Sequence, residues 1–113
     1  MENKNIQLTF ANILAFMRII AFCTIRNFIS KHPEASASLI EWHIKAKEGA
    51  WANINDIKKT YNSVDYVGNK RYVFNIGGNN FRIVAMIFFE VQQIYIRFIG
   101  THNEYDKIDS KNI

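Results

Sequence analysis

The strongest constraint on the fold is a change in hydrophobic periodicity near residue 65. Beyond it, apolar and polar residues tend to alternate, and β-branched and aromatic residues are frequent, which is typical of half-buried strands. Three such runs, 71–76, 80–89 and 93–99, are separated by short turns. The first turn, residues 77–79, has the sequence Gly-Gly-Asn, which accepts the positive φ angles of a tight hairpin. The sequence therefore predicts an antiparallel meander.

The first half of the chain predicts one strand followed by helices. Residues 18–22 are typical of a short strand, and Thr24 is a favourable cap for a helix over 25–31. Pro33 fits the first turn of a second helix. The apolar residues of that helix recur at helical spacing and predict a buried stripe of Ala35, Leu39, Trp42 and Ala46.

Two further signals mark helix ends. Gly49 is expected to end the second helix. Asn53 followed by Asp56 predicts the N-cap of a short helix around 57–61. Because strands and helices occupy separate blocks, we expect an α+β fold, in which an N-terminal strand and two to three helices pack on a mostly antiparallel sheet.

The length of 113 residues allows one hydrophobic core but not two. We expect a single domain over residues 17–113. Residues 1–16 are expected to be an N-terminal extension of uncertain origin, because they resemble neither a signal peptide nor a membrane span. Cys23 is the only cysteine, so no intramolecular disulfide can form, and we expect a cytoplasmic location.

The net charge of +4 is concentrated in one part of the sequence. Residues 58–97 contain six basic and two acidic residues, whereas basic and acidic residues balance in the rest of the chain. Such a concentration favours a polyanionic partner such as nucleic acid. An ordinary solvated basic surface is the alternative.

Two of these basic residues interrupt apolar rows of predicted strands. Strand alternation places Arg82 in a row with Val84 and Met86. In the next strand it predicts one face with Ile94, Ile96 and Phe98 and an opposite face with Tyr95, Arg97 and Ile99. An arginine in such a row needs a groove, solvent or an acidic partner. The pair would suit bidentate contacts with a phosphate, and salt bridges to Glu90, Glu104 or Asp106 are the alternative.

The polar segment after the last predicted strand, residues 100–107, combines several reactive side chains. Thr101 and Glu104 have the spacing of a capping box, which would place His102 and Tyr105 on one side of a helical turn. Histidine transfers protons near neutral pH, tyrosine donates a hydrogen bond, and a nearby arginine stabilises negative charge. The set therefore suits phosphodiester chemistry, with simple surface capping as the alternative.

Other kinds of site have little support. The three histidines are too scattered for a metal motif, and the sequence has neither HExxH nor CxxC. No glycine-rich phosphate loop opens a helix. We therefore expect neither a metal nor a cofactor.

Four stretches carry a family resemblance. They are MRIIAFCTIRNFISKHPEA (17–35), AWANINDIK (50–58), YVFNIGGNNFRIVA (72–85) and YIRFIGTHNEYDKID (95–109). Together they resemble the HigB-type toxins of bacterial type II toxin–antitoxin systems, in the RelE-like superfamily. The resemblance implies a RelE-like fold for residues 17 to about 109 and says nothing about residues 1–16.

The resemblance also implies an activity and partners. It implies a ribosome-dependent mRNA endoribonuclease that acts without a metal, in which the ribose 2′-OH attacks the adjacent phosphate. The implied partners are mRNA on the ribosome and a HigA-type antitoxin with a helix-turn-helix domain, with no membrane involved.

Specific residues match these implied roles. Arg82 and Arg97 would neutralise the scissile phosphate, His102 would be the general acid or base, and Tyr105 would stack or position a proton. Four other basic residues would bind the RNA backbone: Lys58, Lys70, Arg71 and Lys107.

Two other functional classes remain open at this point. One is a non-catalytic RNA- or ribosome-binding module that grips single-stranded RNA by charge and stacking. The other is an inert domain whose basic surface binds an acidic antitoxin.

Overall fold

A computed structural model describes residues 17–113, apart from the side chains of Phe22 and Cys23. The predicted extension over residues 1–16 lies outside the described residues. The described helices are α1 (Phe22–Lys31), α2 (Ser36–Lys47), α3 (Ile54–Thr60) and α4 (His102–Tyr105). The strands are β1 (Arg18–Ile20), β2 (Val64–Gly68), β3 (Arg71–Ile76), β4 (Phe81–Phe88) and β5 (Gln93–Thr101). Within the described part, no helix has the length and apolar character needed to cross a membrane.

The five strands form one sheet in the order β1-β5-β4-β3-β2. Strands β2 to β5 pair antiparallel with their neighbours, whereas β1 pairs parallel to β5. The expected α+β class with a mostly antiparallel sheet is confirmed. Strand β2 was not predicted, because it is an edge strand in which Asp65 and Tyr66 are exposed, so its sequence lacks the apolar signal of a buried strand.

The start of α1 differs from the prediction. Strand β1 ends at Ile20, and α1 begins at Phe22, before the predicted cap Thr24. Ala21 is the N-cap, with a φ of 77° and no side-chain cap bond. The chain therefore turns from strand to helix through the backbone conformation of Ala21, and Thr24 lies inside the first helical turn.

Helix α2 follows the predicted pattern closely. Pro33 opens a short 3-10 turn immediately before it, and the predicted stripe residues are buried. The helix ends at Lys47 and Glu48 is its C-cap, so Gly49 is the first residue after the helix, as predicted. A Cβ atom on Gly49 would lie 2.5 Å from the indole Nε1 of Trp51, so the glycine also permits close packing.

The hydrophobic core lies between α1, α2 and α3 and one face of the sheet, which we call the helix face. Its centre is aromatic: the rings of Trp42 and Phe74 lie 5.3 Å apart, and those of Tyr61 and Phe74 also lie 5.3 Å apart. The Tyr61 hydroxyl donates to the carbonyl of Trp42 at 2.7 Å. Burial, with a smaller effect of Glu41, raises the pKa of Tyr61 far above its usual range, so this phenol stays neutral.

The predicted cap of α3 provides a stability test. The Asn53 side chain accepts a hydrogen bond from the backbone N–H of Asp56 at 3.2 Å. Asn53→Ala should lower the free energy of unfolding by about 1 kcal/mol, because one N–H at the start of the helix loses its acceptor. Urea denaturation measures the change, and Asn55→Ala in the same helix is the control. Equal stabilities for the two variants would contradict the capping role.

The second face of the sheet, which we call the open face, is crossed by the C-terminal segment, residues 106–113. This segment leaves α4 and reaches the β2–β3 turn, where the Asn69 side-chain amide donates to the carbonyl of Lys111 at 3.2 Å. Val73 and Val84 on the open face are 4% and 0% exposed. The open face is therefore substantially covered, although the main helical layer packs on the other side.

A β-bulge in β5 changes the predicted alternation. Val84 pairs with Phe98 but Ala85 pairs with Ile96, so Arg97 is the extra residue of the bulge. The prediction that Phe98 shares a face with Ile94 and Ile96 is wrong. After the bulge, Phe98 shares the open face with Val84, and Ile99 packs against the core instead.

Candidate active site

Helix α4 positions two of the predicted site residues at one end of the sheet. The predicted capping box is present: Thr101 Oγ1 accepts from the N–H of Glu104 at 3.2 Å, and Glu104 Oε1 accepts from the N–H of Thr101 at 2.8 Å. The N–H of His102 donates to the carbonyl of Asn80 at 3.0 Å. These bonds attach a helix of only four residues to β5 and to the β3–β4 turn.

Arg82 lies at the same end of the sheet and is only 8% exposed. Its Nη1 group donates to the carbonyls of Asn79 at 2.9 Å and Phe81 at 3.1 Å. Its guanidinium carbon lies 5.9 Å from the centre of the Tyr105 ring. Neither Nε nor Nη2 makes a hydrogen bond to another described residue. The guanidinium is therefore held in place with donors left for an anion.

The β3–β4 turn supplies the carbonyl groups that hold Arg82. Gly77 and Gly78 adopt φ angles of 60° and 69°, a conformation that glycine accepts at little cost. The turn brings the carbonyl of Asn79 to the guanidinium of Arg82. The glycine pair that predicted the hairpin therefore also shapes the arginine site.

His102 has an acidic partner that the sequence analysis did not assign to it. Its Nδ1 atom lies 3.4 Å from Asp106 Oδ2, and the two side chains are 52% and 57% exposed. A carboxylate at Nδ1 favours the tautomer that leaves Nε2 as the acceptor. The i, i+4 spacing of the two residues at a predicted helical turn is the signal that could have identified the pair.

The predicted arginine pair does not act on one shared anion in this structure. Arg97 Nε donates to the main-chain oxygen of Ile113 at 3.3 Å, and Arg71 donates to the same oxygen from Nε at 3.2 Å and Nη2 at 2.5 Å. The predicted site residues thus form two groups: one around Arg82, and one in which Arg71 and Arg97 hold the C-terminal segment.

The acidic residues expected as alternative partners of Arg82 and Arg97 do not form salt bridges with them. Asp106 pairs with His102, and Glu104 closes the capping box. Among residues 17–113, no ion pair joins Arg82 or Arg97 to a side-chain carboxylate. The salt-bridge alternative is therefore wrong for this structure.

The three predicted RNA-binding lysines are exposed and lie at separate places. Lys58 is in the last turn of α3, Lys70 is in the β2–β3 turn, and Lys107 follows α4. Of the three, only Lys107 is close in sequence to His102 and Tyr105. Within the described part of the chain, no three His, Cys, Asp or Glu side chains are arranged to hold a metal ion.

The group around Arg82 combines the functions that phosphodiester cleavage requires. An arginine with free donors can bind a phosphate, an imidazole oriented by a carboxylate can transfer a proton, and a phenol lies beside the guanidinium. The shallow, exposed position of His102 suits a long polymeric substrate better than a small molecule.

Comparison with known proteins agrees with this combination of fold and site. A model of the HigB_toxin family, described as the RelE-like toxic component of a toxin–antitoxin system, matches residues 35–108. An Escherichia coli K12 protein named mRNA interferase toxin HigB is 37% identical over 93 residues, which cover 80% of this chain and 88% of the relative. A Shigella flexneri mRNA interferase HigB has the same identity and coverage, and one from Escherichia coli O6:H1 is 29% identical over 94 residues, covering 81% and 91%.

The α+β fold and the family match define a RelE-like toxin. The chain belongs to the HigB toxin family.

Proposed function

We propose that this toxin cleaves mRNA on the translating ribosome, through attack of a ribose 2′-OH on the adjacent phosphate without a metal. The chain is an endoribonuclease toxin, as the mRNA interferase names of its relatives support. The observation that carries the mechanism is that Arg82 lies beside Tyr105 and that His102 belongs to the same helical turn as Tyr105, at one end of the sheet. Attack of the 2′-oxygen breaks the bond to the 5′-oxygen and leaves a 2′,3′-cyclic phosphate, or a 3′-phosphate after hydrolysis, and a 5′-OH.

Arg82 is proposed to bind the scissile phosphate. Its Nη1 is held by two carbonyls in a largely buried position, while the N–H groups of Nε and Nη2 make no hydrogen bond to another described residue. A guanidinium held in this way stabilises the charge that develops on the phosphorane without first having to be ordered. Burial also weakens screening by water and salt, which strengthens its interaction with an anion.

His102 is proposed to transfer the proton. Either the imidazole takes the proton from the 2′-OH, or the imidazolium gives one to the 5′-oxygen as it leaves. Asp106 at Nδ1 would hold the ring so that Nε2 faces the RNA. Tyr105, beside Arg82, would stack on a base or position the transferred proton.

The other basic residues are proposed to bind RNA backbone. Lys58, Lys70, Arg71 and Lys107 would make salt-sensitive contacts with messenger or ribosomal RNA. Arg97 is proposed as a second arginine at the phosphate. This role requires either that its Nη groups bind the phosphate while Nε remains bonded to Ile113, or that the C-terminal segment moves away. The chain's net charge of +4 favours binding of the RNA backbone and of the scissile phosphate.

The mechanism predicts where cleavage occurs in cells. Primer-extension mapping of an mRNA in cells that express the chain should show cuts in register with the reading frame, and a His102→Ala strain should show none above background. Cuts that ignore the reading frame would contradict the ribosomal part of the proposal. Ribosome binding without any cleavage would instead favour a non-catalytic RNA-binding module.

Ribosome dependence can also be tested with purified components. The protein alone should cut free RNA far more slowly than the same RNA on a ribosome, because the side chains of His102 and Asp106 are about half exposed and do not by themselves enclose a nucleotide. The measurement compares the initial rates of cleavage for the two substrates. Efficient cleavage of free RNA would contradict this prediction.

The toxin–antitoxin assignment implies an antitoxin partner. We propose a HigA-type antitoxin with a helix-turn-helix domain, encoded beside this chain and acting in the cytoplasm. Co-expression of such a neighbour should restore growth that induction of this chain arrests. Failure of every adjacent reading frame to restore growth would contradict this partner.

A further inference from the structure

A concave site lies at the end of the sheet opposite α4. It has a volume of about 480 Å³ and is formed where the β2–β3 turn and the β4–β5 connection come together beside the loop before α3. We call it the aromatic cleft. It is lined by Ala52, Tyr66, Lys70, Tyr72, Ile87, Phe88, Phe89, Glu90 and Val91.

The walls of the aromatic cleft present an exposed ring on a rigid support. Tyr66 is 54% exposed, and its ring centre lies 5.0 Å from that of Tyr72. Tyr72 is buried and packs edge-to-face on Phe89 at 5.8 Å. Burial, and to a smaller extent Tyr66, raises the pKa of Tyr72. The support behind Tyr66 is therefore a neutral, fixed aromatic surface.

Lys70 places a positive charge at the rim of the aromatic cleft. Its ammonium group lies 5.8 Å from the centre of the Phe88 ring. Asn69 and Lys70 adopt φ angles of 50° and 63° in the β2–β3 turn, where glycine would be the least strained residue at the second position. A lysine at this position costs backbone energy and brings an ammonium group over an aromatic ring.

We propose that the aromatic cleft binds one unstacked nucleobase of single-stranded RNA, with the base on Tyr66 and its phosphate at Lys70. This assignment rests on the proposed function for the identity of the partner. An exposed aromatic ring with a neighbouring cation is the arrangement that binds single-stranded RNA by stacking and charge. An apolar peptide side chain would gain nothing from the ammonium group.

The aromatic cleft lies far from the proposed binding site of the scissile phosphate. Strand β4 runs from Arg82 near one end to Phe88 at the other, which is about 20 Å at roughly 3.4 Å per residue. The base in the cleft is therefore not one of the two nucleotides that flank the scissile phosphate. The cleft binds RNA outside the cleaved step and adds affinity without touching the reacting atoms.

Fluorescence of RNA that contains 2-aminopurine tests the proposal. The parent for this measurement is the His102→Ala protein, which leaves the RNA uncut, and stacking on Tyr66 should quench the fluorescence. Adding Tyr66→Ala should remove the quench and weaken RNA binding about ten- to a hundredfold, the effect of losing one base–aromatic stack. Tyr66→Phe should retain both, and Ile44→Ala, at an exposed apolar residue of α2 outside the cleft, should change neither.

Lys70→Gly separates binding from folding. Glycine suits the positive φ at this position, so the variant should unfold at the same temperature as the parent or higher. Its RNA affinity should fall, and the slope of log affinity against log salt should become shallower by about 0.7, as expected for one lost phosphate contact with a single strand. An unchanged salt slope would remove Lys70 from the assignment.

The outcomes distinguish the aromatic cleft from the proposed function. Equal quenching by the parent and Tyr66→Ala would overturn the cleft assignment, whatever the cleavage result. Absence of RNA quenching, with the cleft protected only in the antitoxin complex, would assign it to a protein partner and also overturn the proposal. Tyr66-dependent quenching by a chain that does not cut mRNA on ribosomes would support the cleft and refute the proposed function.

Discussion

Replacing His102 by alanine should lower the rate of mRNA cleavage on ribosomes about 10²–10⁴-fold, the usual contribution of a positioned acid or base. The imidazole lies on α4 with its Nδ1 at Asp106 and belongs to the same end of the sheet as Arg82. Because the side chain is 52% exposed, its removal should leave the fold intact. The measurement is the single-turnover rate on programmed ribosomes, with circular dichroism to check the fold.

Two variants near His102 test whether a decrease in the cleavage rate results from loss of the imidazole itself. Asn103→Ala changes an exposed neighbour in the same helical turn and should cut at the parental rate. Asp106→Asn keeps the imidazole but weakens its orientation, so its rate should fall between those of the parent and His102→Ala. If His102→Ala arrests translation as well as the parent does, His102 is not the acid or base, even though the family assignment stands.

Replacing Arg82 by alanine should lower the cleavage rate about 10²–10³-fold, because the developing phosphorane loses a pre-positioned cation. Arg82→Lys keeps the charge but not the fork of donors, and its rate should be intermediate. Since Arg82 is nearly buried and satisfies two carbonyls, the unfolding free energy of each variant must be measured alongside the rate. A cleavage defect no larger than the defect in folded protein would refute a role at the phosphate.

Arg97 requires a matched comparison, because it also holds the C-terminal segment. Arg97→Ala should lower cleavage by a similar factor, about 10²–10³-fold, if it serves the phosphate. Arg71 also donates to Ile113 but has no proposed role at the scissile phosphate. Arg71→Ala loosens the same C-terminal segment, so it should mainly weaken salt-sensitive RNA binding. Equal rate losses for the two variants would mean that Arg97 acts through the C-terminal segment.

Much of the fold was predictable because its signals are local. The glycine pair of the β3–β4 turn, the buried stripe of α2 and the Asn53 cap each depend on residues close together in the sequence. The missed strand β2 depends instead on pairing with β3 at the edge of the sheet. The early start of α1 depends on the left-handed backbone conformation of Ala21, which alanine rarely adopts and which the sequence therefore does not predict.

The candidate site divides in the same way. The capping box that places His102 and Tyr105 on one helical turn is a short-range pattern, and it formed as expected. The pairing of Arg71 and Arg97 at Ile113 joins residues from β3, β5 and the end of the described chain, so no local pattern reveals it. The bulge at Arg97 shifts every later side chain of β5 by one position, which simple alternation misses.

The sequence by itself determined the class of fold and the concentration of basic charge, and it indicated candidate residues whose side chains suit phosphodiester chemistry, because periodicity, composition and short motifs are properties of neighbouring residues. Only the tertiary structure decided which of those residues meet. It placed Arg82 beside Tyr105, paired His102 with Asp106, and tied Arg97 to the C-terminal segment. Strand register and the path of the chain over the sheet set those contacts, and both depend on packing between residues distant in sequence.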